Sequence, residues 1–145
     1  MKSKHFAGFA LLVILMMLLA ACAGQTGGQA GTVPSLEGSE WVLTSLNGNA
    51  PIAGSTVTLK FEKDQLGGSG GCNSYGGKYT VGSDGKLSVS EVVQTEMACM
   101  DPAGVMEQES QFGQTLTQAA SFQMNGDNLE IKNAAGDTIL VFAKP

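Results

Sequence analysis

Val57, Leu59 and Phe61 alternate with Thr58, Lys60 and Glu62. A period of two buries one face of a strand and leaves the other in water, which is the pattern of a half-buried antiparallel strand. The chain repeats such short runs between turn residues. Glu40–Leu46 opens with Trp41 and stops at Asn47-Gly48-Asn49. Lys78–Val81 and Lys86–Val89 flank Gly82-Ser83-Asp84-Gly85. Phe122–Met124 and Leu129–Ile131 flank Asn125-Gly126-Asp127-Asn128, and Thr138–Phe142 follows Ala135-Gly136-Asp137. Gly, Asn and Asp in these gaps supply the backbone conformations that tight hairpins need. Trp41, Phe61 and Phe142 are the expected core anchors.

One segment leaves this rhythm. Asp101-Pro102 pairs an N-cap residue with the proline favoured at a first helical position. Val105, Phe112, Leu116 and Ala119 then recur at helical spacing, with Glu107 and Glu109 toward the positive end of the helix dipole. The spacing predicts a helix over 102–119 whose narrow apolar stripe and Gln- and Thr-rich outer face suit it to capping a sheet. The expected fold is α+β, a strongly bent antiparallel sheet or cracked β-barrel closed by one helix.

Ahead of this domain lies a different kind of sequence. Lys2 and Lys4 precede an apolar run from Phe6 to Ala21 that ends in Leu19-Ala20-Ala21-Cys22. The run is shorter than the ~20 residues a membrane-spanning helix needs. Its order of basic, apolar and small residues is that of a secretory signal peptide. The cysteine after Leu-Ala-Ala resembles the bacterial lipoprotein signal, which implies cleavage after residue 21 and lipidation of Cys22. An ordinary signal peptide with an incidental thiol is the alternative. Residues 22–35 are small, polar and glycine-rich, as a flexible tether would be. The domain is expected over 36–145, long enough for one core.

Loss of residues 1–21 would remove Lys2 and Lys4 from eight cations set against thirteen carboxylates, taking the net charge from −5 to −7. It would also remove His5, the one histidine, and there is no arginine in the chain. Without imidazole there is no Ser-His-Asp or Cys-His arrangement and no histidine ligand for zinc or copper. Without arginine and with a negative balance, the bidentate phosphate contacts and basic face of a nucleic-acid binder are missing. No nucleic acid, metal or cofactor is therefore expected. The membrane is expected to be reached through acyl chains on Cys22, each buried CH₂ contributing about 0.8 kcal/mol.

The densest local signal is Gly67-Gly68-Ser69-Gly70-Gly71-Cys72-Asn73-Ser74-Tyr75-Gly76-Gly77. As a phosphate loop it fails: aligning Gly77-Lys78 with the Walker motif puts Cys72 at the first glycine and Tyr79 at the hydroxyl position. Tight bends where strands cross closely account for it better. Asn73 is expected to accept a left-handed backbone and bond its own turn, with Tyr75 and Tyr79 covering the crossing. Cys72 and Cys99 are the cysteines left once Cys22 is acylated. In an exported domain they are expected to form a disulfide, worth roughly 3.5 kcal/mol on the chain-entropy model, with two buried free thiols as the alternative. Met97, Met100 and Met106 could line a soft apolar groove, although methionine more often fills gaps.

Gly71-Cys72-Asn73-Ser74-Tyr75 with Tyr79, then Thr95-Glu96-Met97-Ala98-Cys99, then Glu109, Phe112 and Leu116, resemble the META/HslJ domain family. The motif residues are Gly71, Cys72, Asn73, Met97, Ala98 and Cys99, and the likeness spans about residues 36–145, with Trp41 and Leu43 matching the opening strand and Leu129, Ile131, Gly136, Leu140 and Phe142 the tail. The chain departs from the family pattern at Glu96, where arginine is frequent. The resemblance implies a small cracked barrel found in bacterial envelope proteins, linked to heat shock or stress, with no established enzymatic activity. A likeness of fold to secretin pilot lipoproteins implies assistance to other envelope proteins.

The expected function is thus that of a non-enzymatic, lipid-anchored envelope protein acting by contacts with another, unidentified envelope protein in stress response or secretion support. The outer membrane is expected if the host has two membranes, since Ala23 rather than aspartate follows Cys22. Carriage of a hydrophobic ligand or lipid in the barrel mouth is the alternative. An enzyme would have to rely on carboxylates, and Asp101, Glu107 and Glu109 are the nearest cluster, better explained by capping and the helix dipole.

Overall fold

In a computed structural model that describes residues 33–145, β1 (Glu40–Leu46) lies in the middle of an eight-stranded antiparallel sheet. The segment read as a signal peptide, Cys22 and most of the expected tether lie outside the described residues. On one side of β1 a meander runs through β2 (Thr58–Phe61), β3 (Gln65–Ser69), β4 (Ser74–Val81) and β5 (Leu87–Gln94). On the other side β8 (Thr138–Ala143) pairs with β1, followed by β7 (Asn128–Lys132) and β6 (Ser121–Asn125). Helix α1 (Val105–Leu116) connects β5 to β6.

The outer strands β5 and β6 meet only at their first residues. Lys86 bridges Ser121, the Leu87 N–H donates to the Ala120 carbonyl (3.0 Å), and the Phe122 N–H donates to the Gly85 carbonyl (3.3 Å). The sheet is therefore strongly bent but not closed, and beyond Leu87 the strand β5 pairs with β4 alone. This is the expected cracked barrel closed by a helix.

Period-two residues of the strands fill the interior. Leu59, Phe61, Leu129, Ile131, Leu140 and Phe142 are all fully buried. Full burial of such side chains contributes about 1.5–3 kcal/mol each. Phe112 of α1 enters this core between Tyr75 and Phe142, with ring centroids 5.2 Å and 6.5 Å away in edge-on geometry. Trp41 anchors the other side, and its indole N–H donates to Ser39 Oγ (2.8 Å). Val33 packs against the core and Leu36 is 2% exposed, so the domain opens within the last residues of the segment read as tether.

Three local expectations need correction. The helix is Val105–Leu116 rather than 102–119, and its N-cap is Gly104 in a left-handed conformation, not Asp101, with no side-chain cap. Val105 N–H bonds the Pro102 carbonyl in a turn that precedes the helix. The glycine block is not only bends, because Gln65–Ser69 is a strand paired on both sides. Strand β4 begins at Ser74, four residues before the alternation reaches Lys78, and β5 continues to Gln94 through a bulge opposite Gly77.

Candidate functional site

The residues of the two cysteine blocks converge with the helix around Asn73, which is 2% exposed. Its backbone N–H donates to Glu109 Oε1 (2.6 Å) and its Nδ2 donates to Glu109 Oε2 (2.7 Å). Nδ2 also donates to the Met97 carbonyl (3.1 Å). Asn73 Oδ1 accepts from Thr95 Oγ1 (2.8 Å) and from the Met97 N–H (2.7 Å). One side chain thus ties the β3–β4 turn to the segment after β5 and to α1. Asn73 is not left-handed, contrary to expectation; its side chain bonds chiefly to two other stretches of chain, Thr95–Met97 and α1, rather than to its own turn.

Glu109 is 3% exposed and is not the solvated dipole partner the sequence suggested. It shares the inward stripe of α1 with Val105, Phe112 and Leu116, at intervals of four, three and four residues. That register was the available signal that Glu109 faces inward. Gln108 and Thr115 complete the polar side of the stripe. Gln108 accepts from the Ile52 N–H (2.6 Å) and donates to Ser55 Oγ (2.8 Å), while Asn47 Nδ2 donates to Thr115 Oγ1 (3.1 Å). Among the described residues no buried side-chain polar atom lacks a partner, as a buried network must arrange to avoid a desolvation cost.

The glycines make room for this junction. A Cβ on Gly70 would lie 2.5 Å from Glu109 Oε1, and one on Gly71 would lie 2.6 Å from Ser55 Oγ. Gly71 also has φ +112°, in the region that favours glycine. Gly68 is bare against the Thr58 carbonyl, and Gly67 against that of Tyr75. Tyr75 and Tyr79 cover the crossing as expected, donating to the carbonyls of Thr58 (2.8 Å) and Glu62 (3.0 Å). Burial pushes the phenol of Tyr75 well up, and burial followed by nearby Glu37 and Asp64 raises that of Tyr79.

Cys72 and Cys99 are joined, with Cα atoms 5.9 Å apart. The bridge and the Asn73 bonds hold the segment from Thr95 to Cys99 against the start of β4, and the Cys99 N–H donates to Met106 Sδ (3.4 Å). Most of this segment faces water. Val93 is 70%, Met97 57% and Met100 89% exposed, so these two methionines form an outward surface rather than a groove, while Met106 is half-buried. Ala98 and Glu96 are exposed as well. The carboxylates weighed for catalysis do not converge: Asp101 and Glu107 are exposed while Glu109 is enclosed. Depressions of about 270–620 Å³ among the described residues are open to solvent. Among the described residues no three His, Cys, Asp or Glu side chains are grouped to hold a metal, and no helix is long and apolar enough to cross a membrane.

A half-open antiparallel barrel, plugged by one helix and stapled by a disulfide beside a buried Asn–Glu pair, defines a class of small β-rich domains. The model of the META domain matches residues 34–145, and the chain belongs to that family. It is similar to a protein from Burkholderia xenovorans solved by NMR, with 32% identity and a TM-score of 0.59 over 76% of this chain and 83% of that one. A second NMR structure shares the fold at 22% identity and a TM-score of 0.59, covering 75% of this chain and 91% of the other. A DUF4847 family protein from Bacteroides vulgatus shares it at 15% identity and a TM-score of 0.54, covering 74% and 93%. No curated protein matches in sequence.

Proposed function

We propose that this META domain protein is a non-enzymatic lipoprotein of the bacterial envelope that works by contact with another envelope protein, in stress tolerance or support of secretion. The observation that carries this reading is the distribution of polar groups and backbone edges. The buried polar side chains are engaged with one another around Asn73 and Glu109, whereas the edge of β5 and the segment beyond it face outward. A free sheet edge is a natural surface for protein contacts. Carriage of a hydrophobic ligand is the weaker reading, because Phe61, Phe112 and Phe142 occupy the interior such a ligand would need.

The anchor in this proposal is Cys22, and the membrane is the outer one if the host has two. The Cys22→Ser variant is expected to leave the membrane fraction or remain unprocessed, and crosslinking in intact envelopes is expected to capture a protein with the wild type but not with this variant. Unchanged fractionation and processing would remove the anchor from the proposal. Turnover of a substrate by the purified protein would replace a binding role by an enzymatic one.

A further inference from the structure

We propose that the outer edge of β5 from Val92, with the Met97–Met100 surface that continues it, binds an extended polypeptide carrying alternating apolar and basic side chains, adding it to the sheet as a further strand. This deepens the contact role proposed above and rests on it. Past Leu87 the edge has no neighbouring strand among the described residues. The exposed Val93, Met97 and Met100 sit on backbone held in place by Asn73 and by the Cys72–Cys99 bridge, so the surface is presented in a fixed form. Strand addition draws affinity from main-chain hydrogen bonds and selectivity from alternate side chains.

Charge selects the occupant. No lysine or arginine lies between Lys86 and Lys132, and Glu96, Asp101 and Glu107 have no ion-pair partner among the described residues. Lys78, across from the start of this edge, is held by Glu91 at 2.7 Å. A second copy seated isologously would set Glu96 and Asp101 against their own like charges. An anionic lipid surface would meet the same repulsion. The domain's first residues, Val33–Glu37, also lie beside Tyr79–Ser83, at the opposite end of β4 from Asn73.

The test uses the full chain in detergent micelles and a labelled peptide of roughly eight residues, a usual strand length, alternating valine and lysine. Anisotropy should show saturable binding that weakens with salt, and hydrogen exchange should slow at Val92–Gln94. Val93→Lys, checked for an unchanged melting temperature, should weaken binding at least ~10-fold, as should alternate backbone N-methylation of the peptide. Equal binding of a valine–glutamate peptide, no effect of N-methylation, or protection elsewhere on the domain would overturn the proposal. So would self-association that slows the same amides, or attachment of this face to vesicles of anionic lipid. If envelope crosslinking captures a partner through another face, this inference falls and the contact role stands; capture of nothing would remove both.

Discussion

Gly70 and Gly113 are the same residue in opposite settings. At Gly70 a methyl group would press on the Glu109 carboxylate, while at Gly113, in α1, it would meet nothing within 4 Å. Gly70→Ala is expected to cost about 2 kcal/mol through overpacking, and Gly113→Ala to stabilise by about 0.5–1 kcal/mol through reduced freedom of the unfolded chain. Thermal melting should therefore move in opposite directions for the two variants; equal shifts would mean the Gly70 contact is relaxed by movement of the helix. Tyr75 yields a prediction in pH. The folded state holds its phenolic proton more tightly than the unfolded chain, whose tyrosines ionise near pH ~10. Stability from this source is complete below that pH and is lost as pH rises above it. Tyrosinate absorbance should appear together with unfolding, and Tyr75→Phe should reduce the alkaline loss while costing about 1 kcal/mol at neutral pH for the missing bond to Thr58.

At the scale of elements, the disulfide and Asn73 share the task of holding the chain between β5 and α1. Replacing both cysteines by serine is expected to destabilise by about 3.5 kcal/mol, a fall in melting temperature on the order of 15 °C. Hydrogen exchange in the folded variant should rise mainly over Thr95–Gly104, with the Asn73 bonds keeping the rest in place. A uniform rise across the sheet would show that the bridge supports the whole barrel instead. The elements differ in how plainly the sequence announces them. Where side chains alternate, as in β2 and β7, the strand is readable because the alternation is itself the record of one buried face. Strand β3 escapes that reading because Gly67 and Gly68 have no side chains to alternate, and their bareness serves close backbone approach. The disulfide is legible because two cysteines remain in a domain that follows a signal-like segment. The Asn73–Glu109 pair does not, since its partners stand 36 residues apart and a glutamate near a helix start has a simpler explanation at the surface.

For the whole molecule, the family and the bent, helix-plugged sheet follow from the cysteine blocks together with the strand pattern. What sequence alone could not place is the gap: β5 and β6 touch at Lys86 and Ser121 and then part, and only the three-dimensional path reveals which edge is left open. The central position of β1 has its own consequence. Its partner on one side is β8, so the first and last strands are hydrogen-bonded neighbours at the heart of the sheet. Closing that pair gathers nearly the full length of the domain, and such distant pairings form late because loop entropy must be overcome first. A chain emerging from its N-terminal end has no partner for β1's β8 side until the final strand has been made. The topology thereby delays completion of the domain until β8 has been made, so that through most of the domain's synthesis the earlier strands stand as half a sheet with an unpaired flank.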